Sequence, residues 1–253
     1  MIDAHIHVEQ YDNLETHIPR WQEAGLAKVV AVSNDLESSY RTLEIKERYP
    51  DFILAGVGFH PEYPLPGTPD FQEWLGLVKA ERERISCIGE VGLPHYELER
   101  LLDPLEAYED FLRQCLQIAK DQELPVALHA VHDKAELVFQ MLQNEAPGVK
   151  AHFHWLKAPS VVVEKIVEAR YYISVTPEVC YRKRDQLLSA MIPLEQLLIE
   201  TDGPWPFEGP FAGTPTSPLL LHDVIHYLAE ENDFIPAELT KQIHTNALRL
   251  FEK

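Results

Sequence analysis

Two histidines separated by a single residue stand near the start of the chain, His5 and His7 in the run Ile-Asp-Ala-His-Ile-His. Residues two apart on a strand leave it on the same face, so both imidazoles can grip one divalent cation. The pair alone is a weak signal, because hydrogen-bonded structural histidines share its spacing. Four further groups strengthen it. Glu90, His129, His154 and Asp202 each fall at the end of a short apolar run. Ionisable groups buried there without partners would be costly; one cation, or two bridged by Glu90, removes the penalty. His152 and His154 form a second such pair, in which His154, at the very end of its run, is the expected ligand. His152, one pleat deeper, is expected to hydrogen-bond behind it. This donor set predicts metal-assisted hydrolysis, in which cations acidify a water and Asp202, at the edge, accepts its proton as general base.

The candidates must sit on strands that end at one place. Short apolar runs alternate with amphipathic stretches, the pattern of βα units. Strands are predicted over 2–7, 28–33, 52–59, 86–91, 125–129, 149–154, 171–175 and 196–202, with a helix over 105–120 and a last helix over 236–251. The chain has 253 residues, and one complete barrel takes roughly 250. With no linker or composition break, the expectation is an α/β fold, one (β/α)8 TIM barrel spanning residues 1–253. Active sites of such barrels lie where the strands end. Residues 203–218, rich in proline and glycine, cannot form a regular helix or central strand. Trp205, Phe207 and Phe211 within them either wall a pocket, stack on a base, or pin the loop to the barrel.

Composition narrows the partners. With 45% hydrophobic and 25% charged residues the chain reads as an ordinary globular protein. A formal charge of −19 argues against tight non-specific binding to a nucleic-acid backbone, so a DNA substrate would be held by an end. Cys87, Cys115 and Cys180 are scattered, with no Cys-x-x-Cys pair, so neither a disulfide framework nor a thiolate zinc site is expected. A reducing cytoplasm fits. No basic leader and no membrane-length apolar run is present, so neither a signal peptide nor a membrane partner is expected. The oligomeric state is open, with a monomer favoured.

Five segments in order carry a resemblance: Asp3-Ala4-His5-Ile6-His7, Gly58-Phe59-His60-Pro61, Gly89-Glu90-Val91-Gly92-Leu93, Pro125-Val126-Ala127-Leu128-His129 and Glu200-Thr201-Asp202-Gly203-Pro204. Together they resemble the TatD family of metal-dependent deoxyribonucleases, in the amidohydrolase superfamily, over essentially the whole chain. The resemblance implies a first metal on His5 and His7, a bridging Glu90, a second metal on His129 and His154, and Asp202 completing the site. The two ions would be zinc, manganese, magnesium or nickel. It also implies that His60 lines the site as a phosphate or leaving-group contact, and that the substrate is DNA, entered from a 3′ end.

The chain departs from the family pattern beside these ligands. Pro94 and His95 stand where the family has an aspartate after Gly-Leu. Val131, followed by His132, stands where an arginine commonly binds phosphate. Thr216-Ser217-Pro218 stands in the region of a missing Asn-Glu-Pro segment. These changes touch the substrate pocket and spare the ligands. They keep open a second reading, a two-metal enzyme acting on a lactone, amide or other small ester, and a third, a non-catalytic metal-dependent binding protein. Arg182-Lys183-Arg184, on the loop side, could meet phosphates. The expected substrate contacts are His60, His132, His152, Arg182, Arg184 and Trp205.

Overall fold

A computed structural model describing residues 1–252 forms one sheet of eight parallel strands paired in chain order. They are β1 (Ile2–Ile6), β2 (Lys28–Ala31), β3 (Ile53–Val57), β4 (Ile85–Gly92), β5 (Val126–Val131), β6 (Ala151–Lys157), β7 (Tyr172–Val175) and β8 (Leu197–Ile199). The helices that follow them are α1 (Leu14–Glu23), α2 (Leu36–Arg48), α3 (Thr68–Ala80), α4 (Leu105–Asp121), α5 (Lys134–Glu145), α6 (Ser160–Glu168), α7 (Lys183–Ser189) and α8 (Leu221–Glu231), with α9 (Pro236–Phe251) last. This is the expected TIM barrel.

Parallel strands covered on both faces must be apolar throughout, and β1 and β3 are buried at every residue. α4 buries Tyr108, Leu112, Cys115, Leu116 and Ala119, a helical stripe that packs on the sheet. Inside the barrel, Ile2, Ala4, Val30, Val32, Leu54 and Cys87 meet Ala247, Leu250 and Phe251 of α9. Ile2 opens β1, and Asn246 of α9 donates to the carbonyls of Leu194 and Leu197 where β8 begins, so α9 covers the end of the barrel at which the strands start.

The ring closes through the chain after β8. The Asp202 N–H donates to the His5 carbonyl at 2.9 Å, and the His7 N–H donates to the Gly203 carbonyl at 2.8 Å. Closure therefore seats Asp202 directly beside the first histidine pair. β4 and β5 approach closely at the same level: a Cβ on Gly92 would lie 2.0 Å from the His129 carbonyl oxygen.

The strand ends depart from expectation. β8 stops at Ile199, because the backbone leaves the ladder before Asp202, whose φ is +48°. β5 and β6 run past His129 and His154 to Val131 and Lys157, through a register shift between His129 and Val131. Neither histidine is thus the last residue of its strand. Trp155, with φ +37°, re-aims the residues that follow His154.

Candidate metal centre

Glu90, fully buried on β4, is the hub of the site. Its Oε2 faces β1, 3.0 Å from His5 Nε2 and 3.6 Å from His7 Nε2. Its Oε1 faces the other way, 2.7 Å from His154 Nε2, 2.8 Å from His129 Nδ1 and 3.4 Å from His60 Nε2. Asp202 Oδ1 lies 3.5 Å from both His5 Nε2 and His7 Nε2. The six expected ligands thus converge, divided into two groups by the two oxygens of one carboxylate.

Carboxylates face the outer nitrogens of three imidazoles, and one of these contacts, at His129, is a hydrogen bond. His129 presents Nε2 to Glu62 Oε1 at 3.1 Å, and His154 presents Nδ1 to Glu200 Oε1 at 3.5 Å. His7 Nδ1 lies 3.8 Å from Glu9 Oε1. Such partners orient ligating imidazoles. Sequence reading missed Glu9, Glu62 and Glu200. Glu62 follows His60-Pro61, and Glu200 stands in the Glu-Thr-Asp run, so position relative to chosen residues was the available signal. His152 is fully buried, with Nε2 2.7 Å from Ser174 Oγ and 3.3 Å from Glu200 Oε2. It therefore backs the site and cannot contact substrate, correcting that expectation.

The electrostatics suit cations. Burial pushes the Glu90 carboxyl up, but His154, His60, His5 and the bond from His129 outweigh it and hold Glu90 well below the usual carboxylate range. Burial likewise opposes charge on His7, yet the carboxylates of Asp202 and Glu90 beside it raise it to about 10. His154 is raised well above its ordinary value against burial, by Glu90 and Glu200. The cluster thus draws positive charge to itself. Five imidazole nitrogens crowd a carboxylate with about four lone-pair sites, His154 Nε2 and His129 Nδ1 sit 3.4 Å apart, and the buried Asp202 Oδ1 has no hydrogen-bond partner. Lone pairs aimed at one another need positive charge between them, and nitrogen and oxygen donors in this number fit divalent cations.

His60 behaves differently. The Glu62 N–H donates to its Nδ1 at 3.1 Å, so the proton of the neutral ring is on Nε2. Burial lowers its pKa to about 4, keeping it neutral. It offers a donor into the site.

The family model for TatD related DNase matches residues 2–252. This chain belongs to that family. An uncharacterized metal-dependent hydrolase of Haemophilus influenzae is 32% identical, the match covering 99% of each chain. A protein of Erwinia tasmaniensis named 3′-5′ ssDNA/RNA exonuclease TatD is 27% identical over 92% of each chain. The crystal structure of YJJV, a TatD homolog from Escherichia coli, superposes with a TM-score of 0.87 at 24% identity, covering 100% of this chain and 98% of that one. The protein is a TatD-type metal-dependent hydrolase.

Above the centre, the TatD-family barrel opens into a cleft of about 700 Å³ lined by His7, His60, His129, His154 and Asp202 below and by Tyr96, Lys157, Arg182 and Trp205 toward its mouth. The loop after β8 divides its labour. Phe207 and Phe211 are buried against Trp155 and pin the loop, whereas Trp205 is 59% exposed at the cleft. Of the basic triplet, Arg182 lines the cleft and Arg184 does not. Arg182 is bound to Glu178 at 2.8 Å and Glu208 at 2.6 Å. Arg184 is bound to Glu178 at 2.5 Å and Asp185 at 2.8 Å, outside the cleft lining. Both guanidiniums are neutralised by carboxylates, one of them, Glu178, buried and also accepting from Trp155 Nε1 at 3.0 Å. No spacing pattern pointed to Glu178. His132 also lies off the cleft lining, with φ +55° and its Nε2 3.4 Å from the Tyr96 hydroxyl.

Proposed function

We propose that this hydrolase cleaves phosphodiester bonds of DNA from a 3′ end with two divalent cations, drawn from zinc, manganese, magnesium or nickel. His5, His7, Glu90 and Asp202 would hold one, and Glu90, His129 and His154 the other. The observation that carries this reading is the division of Glu90, one oxygen toward each histidine group. The name of the Erwinia relative, an exonuclease acting on single strands, supports the substrate class. We also infer that residues 1–253 act as one catalytic unit, as a monomer in a reducing cytoplasm, consistent with the free thiols of Cys87, Cys115 and Cys180. Among the described residues no helix is long and apolar enough to cross a membrane.

When bound, the cations supply Lewis acidity to a phosphoryl oxygen and lower the pKa of water. The residues do the rest. Asp202, with an unpartnered Oδ1 beside His5 and His7, accepts the proton of the attacking water. His60 donates its Nε2–H to a phosphoryl oxygen or the leaving group. Trp205 offers a face on which a terminal base stacks. Glu62, Glu97, Glu178 and Glu208 line the cleft and oppose passage of a long polyanion, which favours a chain end.

A substrate panel tests the reading. Metal-loaded protein is incubated with end-labelled single-stranded DNA, bis-p-nitrophenyl phosphate, a lactone and a dipeptide. Stepwise loss of nucleotides from the 3′ end is expected. Turnover of the lactone or dipeptide with intact DNA would overturn it, and silence throughout would favour a binding protein.

A further inference from the structure

We propose that Lys157 of β6, with the hydroxyl of Tyr96, forms the subsite that seats the substrate's anionic phosphoryl group. The inference deepens the phosphodiester reading and rests on it for the identity of the anion.

Its origin lies in the extension of β5 and β6 past the ligands. After the register shift, Val131 pairs with Lys157, so the cation stands on the strand beside the apolar Val131. Both residues line the cleft together with His129, His154 and Asp202. Lys157 Nζ lies 4.2 Å from the centroid of the Trp155 ring and donates to the Tyr96 hydroxyl at 3.0 Å. An ammonium has three N–H donors, and these contacts leave donors for an incoming oxygen.

Charge separates Lys157 from its neighbours. Arg182, the other cation of the cleft lining, is bound by Glu178 and Glu208. Among the described residues no carboxylate oxygen forms an ion pair with Lys157; its partners are a phenol and two aromatic rings. Burial lowers its pKa against the more distant charges of Glu178, Asp185 and Asp202. A partly desolvated cation with no carboxylate in contact is stabilised by an arriving anion more than a cation already paired.

The surrounding polar groups fix the geometry. With Lys157 donating to Tyr96, the phenol proton points to His132 Nε2, 3.4 Å away. The Tyr96 N–H donates to Glu62 Oε1 at 3.1 Å, the same oxygen that faces His129 Nε2. His95, against the His132 ring, is held by Asp133 at 2.8 Å. The departures at His95 and His132 thus buttress the subsite and join it to the metal centre through Glu62.

The test compares wild type with Lys157→Met, which keeps an unbranched stem, and Lys157→Arg, which keeps the charge. Circular dichroism and metal content should match in all three. Calorimetry on metal-loaded protein with thymidine 5′-monophosphate should show binding weakened on the order of tenfold in Lys157→Met and largely recovered in Lys157→Arg. Neutral thymidine should bind wild type and Lys157→Met alike. On bis-p-nitrophenyl phosphate, KM should rise with little change in kcat. Equal binding of the nucleotide by wild type and Lys157→Met, or no binding by wild type, overturns the proposal. If Lys157→Met loses nucleotide binding while wild type cleaves no diester, the subsite stands and the proposed reaction falls. If Lys157→Met cleaves the diester with an unchanged KM, the reverse holds.

Discussion

The floor and the mouth of the cleft are built on opposite principles. At the floor, Glu90, His5, His7, His129 and His154 are buried on or directly after barrel strands, and each aims a donor atom at a shared point. At the mouth, Tyr96, Arg182 and Trp205 lie on connections between elements, and most of their charge is internally neutralised. The floor is specified by strand periodicity and closure of the ring, so its geometry follows from the fold. The mouth is specified by pairings between loops, so it is free to change what the site accepts while the donor set is kept. Lys157 is the point where the two meet, a strand residue that reaches the mouth only because β6 is longer than its ligand requires.

This contrast can be broken by substitutions of graded effect. Asp202→Asn, at the floor, should leave the fold and much of the metal in place while lowering kcat by about a hundredfold or more. Steady-state kinetics on single-stranded DNA checks it, and an unchanged kcat removes Asp202 from proton transfer. Glu62→Gln, one layer behind the floor, withdraws the charge facing His129. Metal affinity or activity should fall about 10- to 100-fold, measured by competition with a chelator; a loss in KM alone would assign Glu62 to the mouth. Trp205→Ala should raise KM for DNA several-fold at nearly constant kcat, since stacking on an aromatic contributes about 1–3 kcal/mol per base. Arg184→Gln, by contrast, should leave KM within about twofold, because the guanidinium already has carboxylate partners. Equal effects of the two variants would dissolve the distinction drawn for the mouth.

A separate effect concerns stability under the floor. Asp3 is fully buried, and burial raises its pKa to about 8 against the hydrogen bonds from Thr201 and His5. A raised folded-state pKa stabilises the fold fully below the unfolded value of 3.8, and this contribution is lost as pH rises through about 8. Metal-free wild type should therefore lose more thermal stability between pH 5 and pH 8 than Asp3→Asn does. Parallel melting curves across that range would refute it.

The legible part of the molecule was the part dictated by local pattern. All eight strands and the span of α9 follow from apolar runs and helical spacing, and the six proposed ligands from their places at the ends of apolar runs, although β5, β6 and β8 themselves end elsewhere. The choice of His154 over His152 rested on depth along one strand, and the structure brings His154 to Glu90 while His152 turns to Ser174 and Glu200. What escaped depended on contacts distant in sequence. Arg182 reads as an exposed phosphate contact until Glu208, 26 residues on, folds across it. Glu62 reaches His129 over a separation of 67 residues. The extension of β6 to Lys157 depends on a register shift and on the positive φ of Trp155, neither of which has a signature in residue type.

Metal stoichiometry tests the central claim most directly. Wild type and Glu90→Gln are titrated with manganese or zinc by calorimetry, with bound ions counted by elemental analysis after dialysis. Two ions per chain are expected in wild type, with Glu90→Gln losing tight binding at both sites. A single ion in wild type, none at all, or two ions held undiminished by Glu90→Gln would contradict the divided carboxylate as the organising feature of this site.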